Sequence, residues 1–403
     1  MAFCASVFHI FIEYMRPQEK YEIFSGLPLG QVSIGLLVVG SLVSGTGVSF
    51  RSPVMRWTAV FLIWSLVTAL LSSSLELATE AYWEAVKVVG VYFFIAAALQ
   101  NRRQLYFFIA AILLLYLLHT NFAVRGWVLS GFSGLPKGAY VGSGFFRNPN
   151  DFGAALAGFW GVSLLLSTID TGKLGGPIRL QWLHIGNTLL FLASVLTSSS
   201  RGAAIAVAAG ALFYVKFYVS GTWQKALWIS LAVIAAFGFL YFLSEGQSDR
   251  FEIMGSDSDE SAQDRFRTWA VAWSVFLDHP VTGVGIGQFL EVAYFYAPNE
   301  KIFVQHNIFL QALTETGATG LVLLLTLLGS FFLTQRCTLR RLKSSPRRDK
   351  ILEAIVIGTS VSMFSFIVAG QFITVLFYPF MWVLIMISAS ADVVSRYGDI
   401  GNR

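Results

Sequence analysis

Apolar runs of about 17–20 residues recur along almost the whole chain, separated by short polar breaks. Each is enough to cross roughly 30 Å of hydrocarbon at a helical rise of 1.5 Å per residue. The pattern predicts spans near 1–15, 28–46, 57–73, 81–99, 104–121, 152–169, 183–199, 202–220, 225–243, 317–335, 352–371 and 374–393. The expected fold is therefore an all-α polytopic membrane protein, a single integral membrane domain over 1–403 with about twelve transmembrane helices. The first run, short for a bilayer, has no basic residue before it and no small-residue cleavage site, so it reads as a retained helix rather than a secretory signal.

Two polar interruptions are too long to be simple turns: 122–151, and 244–316 between the ninth and tenth spans. Long connections in compact structures are usually functional or disordered. The second begins with an acidic tip, Ser256-Asp257-Ser258-Asp259-Glu260, then turns helical. Asp264 is placed to cap a helix carrying Trp269, Trp273 and Phe276 at i, i+4 and i+7, with Pro280 as its stop. That aromatic stripe suits the membrane interface. A second helical piece, near 303–316, is expected to lead into the next span through Gly317 and Gly320.

Composition agrees with the pattern. The chain is 55% hydrophobic and only 13% charged, against about 25% charged in soluble domains. Its net charge of +5 matters less than where the charge falls. Arg336, Arg340, Arg341, Lys343, Arg347, Arg348 and Lys350 crowd one short connection. Such a cluster marks the cytoplasmic side, so both termini are expected inside and both long loops outside. This reading leaves no nucleic-acid partner to explain the basic charge. Cys4 and Cys337 are far apart and form no metal or disulfide pattern.

Side chains able to do chemistry gather on the expected outer face. His306 sits in Gln305-His306-Asn307, with Gly317 following after ten intervening residues. A lone histidine is commonly a packing residue; at an outer helix end, beside two amides, an imidazole also suits a general base acting on a hydroxyl. Arg201, in Ser200-Arg201-Gly202, falls in a tight hairpin between two spans. It reads either as an interfacial arginine or as a bidentate phosphate ligand. Arg265 and Arg267 are expected at the start of the aromatic helix, where free N–H groups also draw anions; pairing with Asp264 is the competing role. Arg147, Asn148 and Asn150 precede a span, with Asp151 as its expected cap, and either shape that turn or bind a headgroup or sugar. Gly283-Val284-Gly285-Ile286-Gly287 lacks the βαβ setting of a nucleotide loop. Trp127, Tyr140, Tyr294 and Tyr296 fit either sugar stacking or an interfacial belt. No His/Cys cluster suggests a metal.

Taken in order, these pieces resemble the O-antigen ligase and polymerase superfamily over about 146–320. The matching motifs are Asn148-Pro149-Asn150, Ser200-Arg201-Gly202, Arg265 four residues before Trp269, Asp278-His279-Pro280, Gly283 to Gly287, and His306 ahead of Gly317. One departure is mild: Arg201 is followed by Ala203, Ala204 and Ile205 where the family favours leucine close after the arginine. The resemblance implies a GT-C-like membrane fold and an inverting, metal-independent glycosyltransferase with no cofactor, at the periplasmic face of a bacterial inner membrane. Its donor would be an undecaprenyl-diphosphate-linked glycan, its acceptor lipid A-core or another glycan, with membrane lipids around both. His306 would be the base; Arg201, Arg265 and Arg267 would bind the diphosphate; Arg147, Asn148, Asn150, Gln305 and Asn307 would contact donor or acceptor. Tyr14-Met15-Arg16-Pro17-Gln18 is similar to ligase-like proteins of polysaccharide export clusters, and only about ten residues follow the last expected span. Ligase is therefore favoured, followed by polymerase and protein O-oligosaccharyltransferase. A lipid-linked glycan transporter would instead need internal repeats and paired midplane charges; no clear repeat is seen, and charges such as Glu84 and Lys87 are few.

Overall fold

The computed structural model describes residues 1–131, 144–169, 180–198, 200–223, 225, 260–300, 302–346 and 348–398. Among these the fold is all-helical, with no strand. The helices are α1 (Ala2–Met15), α2 (Leu29–Val43), α3 (Pro53–Leu70), α4 (Leu75–Ala98), α5 (Arg102–Leu129), α6 (Pro149–Ser167) and α7 (Leu180–Thr197). They continue with α8 (Arg201–Tyr218), α9 (Glu260–Asp278), α10 (Phe289–Tyr296), α11 (Ile308–Ser344), α12 (Lys350–Ala369) and α13 (Pro379–Tyr397). The expected span 225–243, the acidic tip 256–259 and Tyr140 lie outside the described residues. Each other expected span falls on a helix, and six described helices, α3, α4, α5, α11, α12 and α13, are long and apolar enough to cross a membrane.

Two helices that are apolar on all sides form the centre. In α12 and α13, 78% and 83% of the apolar stretch is buried, against 39% in α11, which leaves much of its surface to lipid. Helices in lipid gain nothing from hiding apolar surface from lipid tails, so close van der Waals contact between small residues must hold them. The α6–α12 pair shows this. A Cβ on Gly161 would stand 3.0 Å from the Gly358 carbonyl oxygen, and one on Gly358 2.8 Å from the Val162 Cα. Across the same face Trp160 Nε1 donates to Ser365 Oγ at 3.0 Å. Polar side chains elsewhere in the bundle bond across helices in the same way, Gln335 Nε2 to the Val356 carbonyl (3.0 Å) and Asn187 Nδ2 to the Leu113 carbonyl (2.7 Å). Within α4, Glu84 and Lys87 pair with each other.

Three helix starts differ from expectation. Helix α9 is already formed at Glu260, the first described residue of this stretch, so it does not start near Asp264. Asp264 is thus inside the helix, and Arg265 and Arg267 stand beyond its first turn, away from the free N–H groups. Helix α6 is capped by Asn148, whose Oδ1 accepts from the Asn150 N–H at 2.8 Å, because Pro149 occupies the first helical position and leaves Asp151 one turn in. Helix α11 starts at Ile308, so 303–307 is not helical; Asn307 caps it, its Oδ1 accepting from Phe309 (2.9 Å) and Leu310 (3.1 Å).

Helix α11 sets the frame for the rest. His306 lies just before its cap and the basic 336–350 run begins in its last turns, so imidazole and basic cluster stand at opposite ends of the bundle. The stretch beyond Gly317 is itself about 40 Å at 1.5 Å per residue.

Candidate active site

A glycine loop and a helix kink interlock to build the floor of the site. At Gly317 the backbone of α11 leaves helical geometry, with φ 71° and ψ −177°, a region essentially closed to side-chain-bearing residues. The break exposes carbonyls, and the Gly283–Gly287 loop takes them up. Val284 N–H donates to the Thr314 carbonyl (2.9 Å), Gly285 N–H to that of Glu315 (3.0 Å), and Ala318 N–H to that of Pro280 (2.8 Å). Trp64 Nε1 caps the Thr316 carbonyl at 2.9 Å, and Ser72 Oγ donates to the Val284 carbonyl at 2.9 Å, tying α3 and its following turn to the same floor. The approach is too close for a Cβ: one on Gly317 would sit 2.2 Å from the Val281 oxygen, and one on Gly283 2.5 Å from the Thr314 oxygen. The glycine repeat is therefore a wedge against the kink.

Above this floor runs the segment that carries the imidazole. His306 is half-buried and has φ 48°, a left-handed conformation unusual for a residue other than glycine. Both sides of it are pinned. Its N–H donates to Thr374 Oγ1 at 2.7 Å. The Gln305 carbonyl accepts from Trp269 Nε1 of α9 at 2.7 Å. The Asn307 Nδ2 donates to Gln371 Oε1 at 3.2 Å, and Ile308 N–H to the Gly370 carbonyl at 2.8 Å. Burial, and secondarily the nearby Arg265 guanidinium, hold the His306 pKa below its ordinary value of 6.5. At neutral pH the ring is therefore uncharged and able to accept a proton.

Residues 370–374, between α12 and α13, form a strap joining His306 to Arg201. Thr374 and Gln371 hold the His306 segment, and Phe372 packs on the start of α8, where a Cβ on Gly202 would meet the Phe372 ring at 2.9 Å. Arg201 is the first residue of α8 and is exposed at this end. Its neighbour Ser200 caps the helix by accepting from the Ala203 N–H. The start of α6 packs here too, a Cβ on Gly153 standing 3.1 Å from that of Ser200.

The remaining expected residues divide. Gln305 is buried in this arrangement and Asn307 spends its side chain on the cap and on Gln371. Arg267 is paired, with Glu300 Oε2 at 3.2 Å and Asp264 Oδ1 at 3.5 Å, so an anion would have to compete with two carboxylates for it. Arg147 is 74% exposed and 4.0 Å from Glu19, whose other contacts reach Arg16 and the Gly144 N–H. Asn148 works as the α6 cap, with Asn150 inside that turn. Tyr296 donates to Asp278 Oδ2 at 2.6 Å, fastening α10 to α9, and Tyr294 is exposed. Among the other histidines, His9, His119 and His184 bond between helices, to Ser33, the Tyr14 carbonyl and Tyr106.

Sequence reasoning did not single out the strap or Glu315. The expected spans 352–371 and 374–393 take in all of the strap but residues 372 and 373, whereas the helices stop at Ala369 and resume at Pro379; the polar Gln371 and Thr374 are the available signal. Glu315 carried a stronger one, an acid within a helix leading into an apolar span, which demands a partner.

Residues 186–325, from within α7 to the first half of α11, match the O-antigen ligase family model. The chain carries an O-antigen ligase domain. The domain holds Arg201, Arg265, Arg267, the glycine wedge, His306 and the Gly317 kink, while Asn148-Pro149-Asn150 and the strap lie outside the matched residues. No curated protein matches the chain. With its apolar helices, this match supports a multi-pass membrane protein of the O-antigen ligase and polymerase type.

Proposed function

We propose that the protein is an inverting, metal-independent glycosyltransferase that moves a glycan from undecaprenyl diphosphate to a hydroxyl of lipid A-core at the periplasmic face of the inner membrane. The observation that supports this reading is a neutral, proton-accepting imidazole that the Arg265 charge reaches. The 370–374 strap touches both the His306 segment and the helix start that bears Arg201. In the transfer, the acceptor oxygen attacks the anomeric carbon as the bond from that carbon to the diphosphate oxygen breaks. The hydroxyl proton passes to His306 and the negative charge gathers on the departing diphosphate. Arg201 and Arg265 stabilise that charge; Arg267, held by two carboxylates, lends it a lesser part. Arg147, Asn148 and Asn150 meet donor or acceptor, while Gln305 and Asn307 act by holding the His306 segment.

Reconstitution with undecaprenyl-diphosphate glycan and purified lipid A-core tests the reading. Arg201→Ala and Arg265→Ala should each lower kcat by about 10²-fold, the usual cost of one charge-stabilising donor. His306→Ala should lose roughly 10²–10⁴-fold. Donor incubated without lipid A-core separates ligase from polymerase, since only a polymerase lengthens the lipid-linked chain. Full transfer by His306→Ala would remove it as the base, and movement of donor across the bilayer without transfer would favour a transporter.

A further inference from the structure

Glu315 is 4% exposed, in the last turn of α11 before the Gly317 kink. A carboxyl sealed from water is tolerated only where its oxygens are filled, and here both are. Oε2 accepts from the Gly287 N–H of the wedge at 3.0 Å, and Oε1 accepts from Gln305 Nε2 at 3.3 Å. The partner Gln305 is itself 1% exposed, and its Nε2 also donates to Thr314 Oγ1 at 3.0 Å. Its carbonyl is the one that receives Trp269 Nε1. The residue immediately before His306 is thus gripped through its side chain by α11 and the wedge, and through its main chain by α9.

We propose that Glu315 is a positioning residue for His306: by anchoring Gln305 it fixes the direction in which the imidazole faces the acceptor hydroxyl. This rests on reading His306 as the base. The left-handed backbone at His306 makes the anchor necessary, because a side chain on such a residue keeps its direction only while its neighbours over-determine the strained conformation. Proton transfer requires the base within hydrogen-bond reach of the hydroxyl, so a small rotation is enough to stop it. The geometry at 315 calls for two accepting oxygens, which an amide lacks. Donors approach both of its oxygens, and an amide offers only one oxygen, leaving its NH2 opposite another donor.

The test uses the full-length protein reconstituted with undecaprenyl-diphosphate glycan and lipid A-core, comparing Glu315→Gln, the swap Gln305→Glu/Glu315→Gln, and His306→Ala. Glu315→Gln should lower kcat by roughly 10- to 100-fold, the scale of a misplaced reacting group. Its donor KM should stay within about twofold of wild type, since ground-state binding is untouched, while its melting temperature in detergent should fall by on the order of a few degrees for the one unmatched buried donor. The swap should recover most of kcat. The amide introduced at 315 then accepts from Gly287 and donates to the carboxylate at 305, and the Thr314 hydroxyl turns from the Leu310 carbonyl to donate to that carboxylate. Wild-type kcat in Glu315→Gln overturns the inference, as does a kcat loss that merely tracks the melting temperature. A folded swap variant that stays slow overturns it too. Each of these leaves the base reading intact if His306→Ala is inactive. Full transfer by His306→Ala sinks the base reading itself, and the inference with it.

Discussion

The backbone at His306 costs energy that a packing histidine would have no reason to carry. A left-handed residue with a Cβ is disfavoured by roughly 1–2 kcal/mol, and glycine would relieve the strain. His306→Gly should therefore be more stable than His306→Ala by about 1 kcal/mol, measured by thermal melting in detergent, although both lack the base. Equal stabilities would mean that the φ of 48° is not kept once the imidazole is gone. The ring's acidity gives a second expectation. Burial and Arg265 favour the neutral form, so the acid limb of the kcat/KM profile should lie below pH 6.5, with activity falling as pH drops through the lowered pKa and the base becomes protonated. Arg265→Gln removes the repelling cation, so His306 should protonate more readily and the limb should move towards higher pH, whatever happens to the rate above it. An unmoved limb would assign the titration to another group. At this scale the candidate base was legible because a polar Gln-His-Asn cluster interrupts an apolar chain. Thr374 was not, because its role is a contact with a residue 68 positions away, which no local pattern records; Glu315 left only the mark of an acid at the entry to an apolar span.

At the scale of elements, the interlock of wedge and kink makes two glycines non-negotiable and a third dispensable. Gly283→Ala and Gly317→Ala each drive a Cβ into main-chain atoms while forcing a positive φ of 64° and 71°, so each should destabilise by about 2 kcal/mol or more. Gly329 lies further along α11 with nothing within 4 Å of a Cβ, and Gly329→Ala should be neutral or stabilising by up to about 1 kcal/mol. Thermal melting of the three purified variants decides this; losses of similar size at all three would mean the wedge is not what the glycines serve. Helix positions were legible because apolar runs of bilayer length leave the backbone no alternative to helix in lipid. Their ends were less so. Helix α9 is already formed a turn ahead of Asp264, whose side chain pairs with Arg267 instead of capping. The glycine run lacks the βαβ setting of a nucleotide loop, but its partner, a carbonyl-exposing break in a helix that follows it in the chain, is not visible without the fold.

For the whole molecule, the decisive question is which way the bundle faces, because the proposed chemistry needs a donor displayed on the outer leaflet. The basic 336–350 connection and the His306 segment occupy opposite ends of α11. Whichever end is cytoplasmic, the other faces out. Much of the basic end is tied up in ion pairs: Arg102 with Asp349, Arg348 with Glu353, and Arg341 and Arg396 with the fully buried Asp392. Such pairing does not weaken the orientation rule, which counts basic residues rather than net charge. Cys4 and Cys337 are both exposed, so labelling has to start from Cys4→Ser/Cys337→Ser. In that background, Asn299→Cys, exposed just after α10, should react with a membrane-impermeant maleimide in intact cells. Ser344→Cys, exposed in the last turn of α11, should react only after the membrane is opened. The reverse pattern would put His306, Arg265 and the strap in the cytoplasm, where an outward-facing lipid-linked donor cannot reach them, and transfer at the periplasmic face would have to be abandoned even if each of the three side chains proved essential.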